Sequence, residues 1–112
     1  MKNRITVTPT FENKYKKYLK KFPSLKEEME ELEKELLNNP SLGIPLGANL
    51  FKIRLSNKDK GKGKSGGFRI ITYLVEENKT HIEIFLIIIY NKSEESSIKK
   101  EQLIKMVKSI LK

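Results

Sequence analysis

The chain has 112 residues, enough for one domain (residues 1–112) around a single modest core, and its 38% hydrophobic and 33% charged residues mark it as globular rather than disordered. The 23 Lys and Arg against 14 Asp and Glu give a net charge of +9, which points to polyanions, with nucleic acid ahead of a membrane because no segment reads as a basic amphipathic anchor with bulky aromatics. Without cysteine there are no disulfides and no cysteine-based metal site, which suits a cytoplasmic setting; residues 1–8 lack the apolar run of a signal peptide, and the most apolar run, residues 84–89, is too short to span a bilayer.

Ile5-Thr6-Val7 alternates and reads as a short first strand, and Thr8-Pro9 follows as an N-cap and first helical residue. Phe11, Tyr15, Tyr18, Leu19 and Phe22 then recur at helical spacing, with Lys14, Lys16, Lys17, Lys20 and Lys21 off the apolar face and Pro23 as the stop. Ser24 with Glu27 predicts a capping box for a second helix, whose buried stripe is Leu25, Met29, Leu32 and Leu36 and whose glutamates face water. So tight a connection predicts a helical hairpin. Charge is unevenly spread: residues 25–38 hold six glutamates and two lysines (−4), which leaves 21 basic and 8 acidic residues (+13) for the rest of the chain. An acidic face on an otherwise basic molecule is expected.

Residues 38–47, rich in Asn, Pro and Gly, read as a turn-rich connection. Leu50-Phe51-Lys52-Ile53-Arg54-Leu55 alternates cleanly, with Phe51, Ile53 and Leu55 on one face and Lys52 and Arg54 on the other. Residues 58–67 carry four lysines (Lys58, Lys60, Lys62, Lys64) and four glycines. Such a loop lays positive charge along a phosphate backbone. It is no Walker A loop: Lys58 stands where the first glycine belongs, and a strand rather than a helix follows. Residues 68–75 and 81–90 read as two strands around a turn at Asn78-Lys79, apolar on both faces as central strands are. A last helix buries Leu103, Ile104, Val107, Ile110 and Leu111. The predicted class is α+β: a helical hairpin and a terminal helix packed on a small, largely antiparallel sheet.

A two-residue turn at Asn78-Lys79 sets Arg69 opposite Ile88, with Tyr90 and Lys92 on the same face. Lys52, Arg54, Lys64, Arg69, Tyr90 and Lys92 then line one basic groove. Other chemistries fail on inventory. The single histidine, His81, begins a strand at the far turn, and no cluster of His, Cys or carboxylates suggests a metal site or any cofactor. A cluster of cations with a tyrosine can cleave RNA without metal: the 2′-hydroxyl attacks the adjacent phosphate while cations stabilise the charge on the phosphorane-like transition state. The same cluster can equally bind RNA without cutting it.

Three runs in order, Phe51-Lys52-Ile53-Arg54-Leu55, Lys64-Ser65-Gly66-Gly67-Phe68-Arg69 and Ile89-Tyr90-Asn91-Lys92-Ser93-Glu94, resemble the RelE/ParE superfamily of bacterial toxins, and within it the RelE/HigB-type branch. The resemblance covers nearly the whole chain and implies a RelE-like fold. It implies a type II toxin that enters the ribosomal A site, cuts mRNA there and is silenced by a cognate antitoxin, with a helix-turn-helix protein as the expected neighbour. By position, Lys52 and Arg54 match the basic pair of the second strand, Arg69 the arginine that stabilises the transition state, and Lys92 a residue near the leaving group. The basic loop (Lys58, Lys60, Lys62, Lys64) is an elaboration suited to ribosomal RNA. Ile98 stands close to where the RelE type has a C-terminal tyrosine, and Tyr90 is the candidate substitute. Two rival readings remain: the superfamily's ParE branch, a non-enzymatic inhibitor of DNA gyrase, and an inactive RNA-binding relic.

Overall fold

The computed structural model describes residues 3–58, 67–91 and 98–110. Its elements follow in the order β1 (Arg4–Val7), α1 (Pro9–Lys21), α2 (Leu25–Asn38), β2 (Ile44–Gly47), β3 (Leu50–Leu55), β4 (Phe68–Asn78), β5 (His81–Asn91) and α3 (Lys100–Ile110). The five strands form one mixed sheet in the order β1-β5-β4-β3-β2, with β1 parallel to β5 and every other pairing antiparallel. The architecture is α+β, three helices on a five-stranded sheet.

The helices start where local chemistry allows. Thr8 caps α1 by accepting a hydrogen bond from the Phe11 amide at 3.3 Å, and its hydroxyl donates to the Leu86 carbonyl at 2.8 Å, so the cap also ties α1 to β5. The capping box expected at Ser24 does not form. Ser24 itself lies in the helical region (φ −66°, ψ −14°), where its hydroxyl cannot reach back to the first-turn amides, and that hydroxyl accepts from Asn57 Nδ2 at 3.2 Å instead.

Each face of the sheet has its own core. On one side α1 and α2 cover Ile53, Phe68, Ile70, Ile84, Leu86 and Ile89 with Phe11, Tyr18, Leu25, Met29, Leu32 and Leu36. On the other, Leu103 and Val107 of α3 pack on Leu50, Ile71, Ile87, Ile88 and Tyr90, and Ile98, Met106 and Ile110 close over the same cluster. Burial of one such side chain contributes about 1.5–3 kcal/mol, so two faces stabilise a short chain far better than one. Leu111 lies outside the described residues.

Two departures from the sequence reading concern the sheet. Residues 44–47, read as part of a connection, form the edge strand β2 against β3. Pro45 lacks an amide hydrogen, which an edge strand tolerates and a central one does not. Gly43 leads into it at φ +106°, and a Cβ there would come within 2.5 Å of the Lys52 carbonyl oxygen, so the approach of this segment to β3 depends on glycine. The β4–β5 hairpin turns at Lys79-Thr80 rather than Asn78-Lys79, with Asn78 opposite His81. Two bulges adjust it: Ile87 is extra between the Ile71–Ile88 and Thr72–Leu86 pairs, and Glu77 is extra near the turn. The first sends both Ile87 and Ile88 toward α3.

Candidate nucleic-acid interface

Register assembles the site. Arg54 of β3 stands directly opposite Arg69 of β4, and Arg69 directly opposite Tyr90 of β5, so three side chains form one row across three strands. The next row on the same face is Lys52, Ile71 and Ile88. The expected partner of Arg69, Ile88, is therefore replaced by Tyr90. That shift is two residues, and a period-two strand keeps every side chain on its face under such a shift. Lys52, Arg54, Arg69 and Tyr90 consequently share the face on which α3 packs.

Their exposures differ sharply. Arg54 is exposed and Lys52 half-buried, whereas Arg69 is 4% and Tyr90 1% exposed. Arg69 lies beneath the surface of the groove rather than on it. It donates to the Phe68 carbonyl at 3.2 Å. Burial lowers its pKa, the neighbouring charge of Arg54 lowers it further, and Tyr90 opposes both. The row thus places an exposed guanidinium against a buried one, with a phenol beyond. It contains no carboxylate and no imidazole.

Lys58, at the base of the lysine-glycine loop, is exposed, and its backbone amide donates to Glu28 Oε2 at 3.0 Å. The same carboxylate accepts from Asn57 Nδ2 at 2.6 Å, and Asn57 is buried. Glu28, read from sequence as one of a solvated row, is thus the clamp that fixes where the loop leaves β3. Its helical spacing matches that of its exposed neighbours, so only the tertiary structure distinguishes it. Where β4 begins, a Cβ on Gly67 would overlap the Leu55 carbonyl oxygen, so glycine permits the strand to close on β3 next to Arg69. Lys60, Lys62, Lys64 and Lys92 lie outside the described residues.

The rest of α2 carries the acidic face. Glu27, Glu30, Glu31 and Glu35 are exposed, and Glu33 has a raised pKa from burial and then from Glu30. At the opposite end of the sheet Glu83, 3% exposed, accepts from Arg4 at 2.8 and 2.6 Å and from the Thr6 hydroxyl. His81 stands beside it, half-buried, with Nε2 3.7 Å from Glu77. Across β4 and β5, the length of the hairpin separates this histidine from the Arg54–Arg69–Tyr90 row. Among the described residues no three His, Cys, Asp or Glu side chains come together as metal ligands do. No described helix is long and apolar enough to cross a membrane.

No protein-family model matches the chain.

Proposed function

We propose that this protein is the toxin of a type II toxin-antitoxin system, of RelE/HigB type and RelE-like fold, and that it cleaves mRNA on the ribosome. The observation that carries the reading is the row Arg54–Arg69–Tyr90, set in register across three strands with Lys52 one pair further along the same face. Two arginines directly opposed on adjacent strands repel one another, and a phosphate bound over them would offset that repulsion.

In this reading the RNA 2′-oxygen forms a bond to the adjacent phosphorus and the bond to the 5′-oxygen breaks, leaving a 2′,3′-cyclic phosphate and a 5′-hydroxyl. Arg54, exposed, takes the first phosphate contact. Arg69 supplies two parallel hydrogen bonds to the phosphoryl oxygens as negative charge builds on them. Because Arg69 is buried, phosphate reaches it only when the surface over it opens, and docking on the ribosome supplies the free energy for that opening. Naked RNA is then a poor substrate. Tyr90 and Lys92 are the candidates for proton transfer at the attacking and leaving oxygens. Lys58, Lys60, Lys62 and Lys64 serve docking on ribosomal RNA rather than chemistry. A cognate antitoxin, of helix-turn-helix type, silences the protein by covering the basic groove.

The test is induction of the protein in growing cells, followed by mapping of 5′ ends in translated messages. Cuts that require translation, and that disappear with Arg54→Ala, bear the reading out. Gyrase-linked DNA breaks with intact mRNA would assign the protein to the gyrase-inhibitor branch instead.

A further inference from the structure

We infer that the cleft between α2 and β3 is a base-recognition subsite, in which Glu31 and Glu35 select a guanine of the RNA held at Arg54. The cleft has a volume of about 530 Å³, inside the range of about 300–1,000 Å³ that small-ligand sites occupy. Glu31, Leu32 and Glu35 of α2 form one wall, and Ile53, Arg54 and Leu55 of β3 form the other. Leu42 and Ile44 line it as well.

Three observations point to a nucleotide. The first is continuity. Arg54 belongs both to this wall and to the Arg54–Arg69–Tyr90 row, and Lys52, one pair further along, also lines the cleft. β2 pairs with β3 over residues 50–52, so residues 53–55 carry β3 past the end of β2, and there the cleft meets the row. The second is polarity. The cations of the cleft belong to β3, its carboxylates to α2, and aliphatic side chains of both elements share the cavity. A nucleotide combines the same three characters: an anionic phosphate, the apolar faces of a base and a hydrogen-bonding edge. The third is the apolar lining. Leu32 and Ile53 are buried, but Ile44 keeps 46% of its surface exposed, and a base seated in the cleft removes part of that surface from water.

The carboxylates decide which base. Glu28, Glu31 and Glu35 lie on one strip of α2, three and four residues apart. Glu28 accepts from Asn57 and from the Lys58 amide, whereas Glu31 and Glu35 are exposed along the cleft. A carboxylate offers two acceptor oxygens and no donor. Guanine alone presents two adjacent donors, N1–H and N2–H, that meet both oxygens in parallel. Adenine, cytosine and uracil place an acceptor beside the donor on that edge, and the acceptor faces the second oxygen. The glutamates therefore discriminate by repelling the wrong edge as well as by binding the right one.

The inference rests on the proposed function for the RNA phosphate at Arg54. It is tested with the purified full chain, without ribosomes, by anisotropy of fluorescein-labelled single-stranded RNA pentamers that differ only in the central base: guanine, adenine, cytosine, uracil or inosine, which lacks the 2-amino group. The guanine pentamer should bind about tenfold tighter than the adenine, cytosine and uracil ones, toward the lower end of what one bidentate base contact gives, with inosine between. Glu31→Gln/Glu35→Gln should abolish the preference. The charge-matched Glu27→Gln/Glu30→Gln, two exposed glutamates of the same helix, should keep it, and circular dichroism checks the fold of both. No preference in the wild type, a preference for another base, or one that survives Glu31→Gln/Glu35→Gln overturns the subsite. A wild-type dimer in sedimentation that Glu31→Gln/Glu35→Gln dissociates assigns the cleft to a second copy of the chain and overturns it too. Guanine preference in a protein that fails to cut mRNA supports the subsite and refutes the nuclease. Cutting of translated messages without guanine preference among the pentamers does the reverse.

Discussion

Replacing Arg54 by threonine should make the protein more stable and less active at once. Arg54 and Arg69 are direct cross-strand partners, and Arg69 is buried while Arg54 is exposed. Like charges in that position destabilise by about 0.2–1 kcal/mol, and water around Arg54 brings the expected value to about 0.5 kcal/mol. Threonine is itself well suited to a strand, so the substitution costs no strand propensity. In a domain of this size 1 kcal/mol corresponds to about 4–8 °C in Tm, so Arg54→Thr should melt about 2–4 °C higher at low salt. At about 1 M KCl the screening length falls to about 3 Å, and the advantage should vanish because the wild type no longer carries the repulsion. Cleavage on programmed ribosomes should fall about ten- to a hundredfold, the loss expected for one charge-assisted hydrogen bond to phosphate. Calorimetric melts at two salt concentrations and a single-turnover assay together decide the matter. A variant that melts lower than wild type, or whose gain ignores salt, would refute the electrostatic argument. Undiminished cleavage would remove Arg54 from the site.

Arg69→Ala should slow single-turnover cleavage by about a hundred- to a thousandfold, with only weak rescue by Arg69→Lys, since an ammonium cannot make the two parallel bonds of a guanidinium. Both variants should also melt below wild type, because the side chain is buried, and a folded Ala variant that cuts at the normal rate would exclude the proposed site. Thr72 is fully buried and its hydroxyl has no hydrogen-bond partner among the described residues, so Thr72→Val should raise stability by about 1 kcal/mol in urea titration. A loss would show that the hydroxyl is satisfied. Burial pushes the Glu83 pKa up, but the hydrogen bonds from Arg4 and Thr6 and the charges of Arg4 and His81 outweigh it, and the net shift is downward. Its stabilisation is therefore complete above the ordinary glutamate value of about 4.3 and is lost as pH falls through the lower folded value. Glu83→Gln should be less stable than wild type near neutrality and draw level in strong acid, as followed by urea midpoints across that range; a constant gap would mean that ionisation of Glu83 contributes nothing.

The helices and their buried stripes were legible in the sequence because a 3.6-residue period depends on nothing but the helix itself: Leu25, Met29, Leu32 and Leu36 are all buried as their spacing predicts. The same holds for the faces of β3, where strict alternation separates Ile53 from Lys52 and Arg54. Tertiary structure decided what local patterns do not encode. Which residue opposes Arg69 depends on where the hairpin turns and on the Ile87 bulge, and these are settled by packing on two faces rather than by any short motif. Strand β2 reads as a loop because Pro and Gly dominate it, and it becomes a strand only because β3 offers it an edge. Glu28 and its solvated neighbours are the same residue type at the same spacing; the nearby Asn57 amide and the Lys58 backbone single it out. Residue types alone make the candidate site a cationic one. Burial of Arg69 beside an exposed Arg54 is a property of the folded sheet, since accessibility is set by long-range packing and not by the residue's own identity.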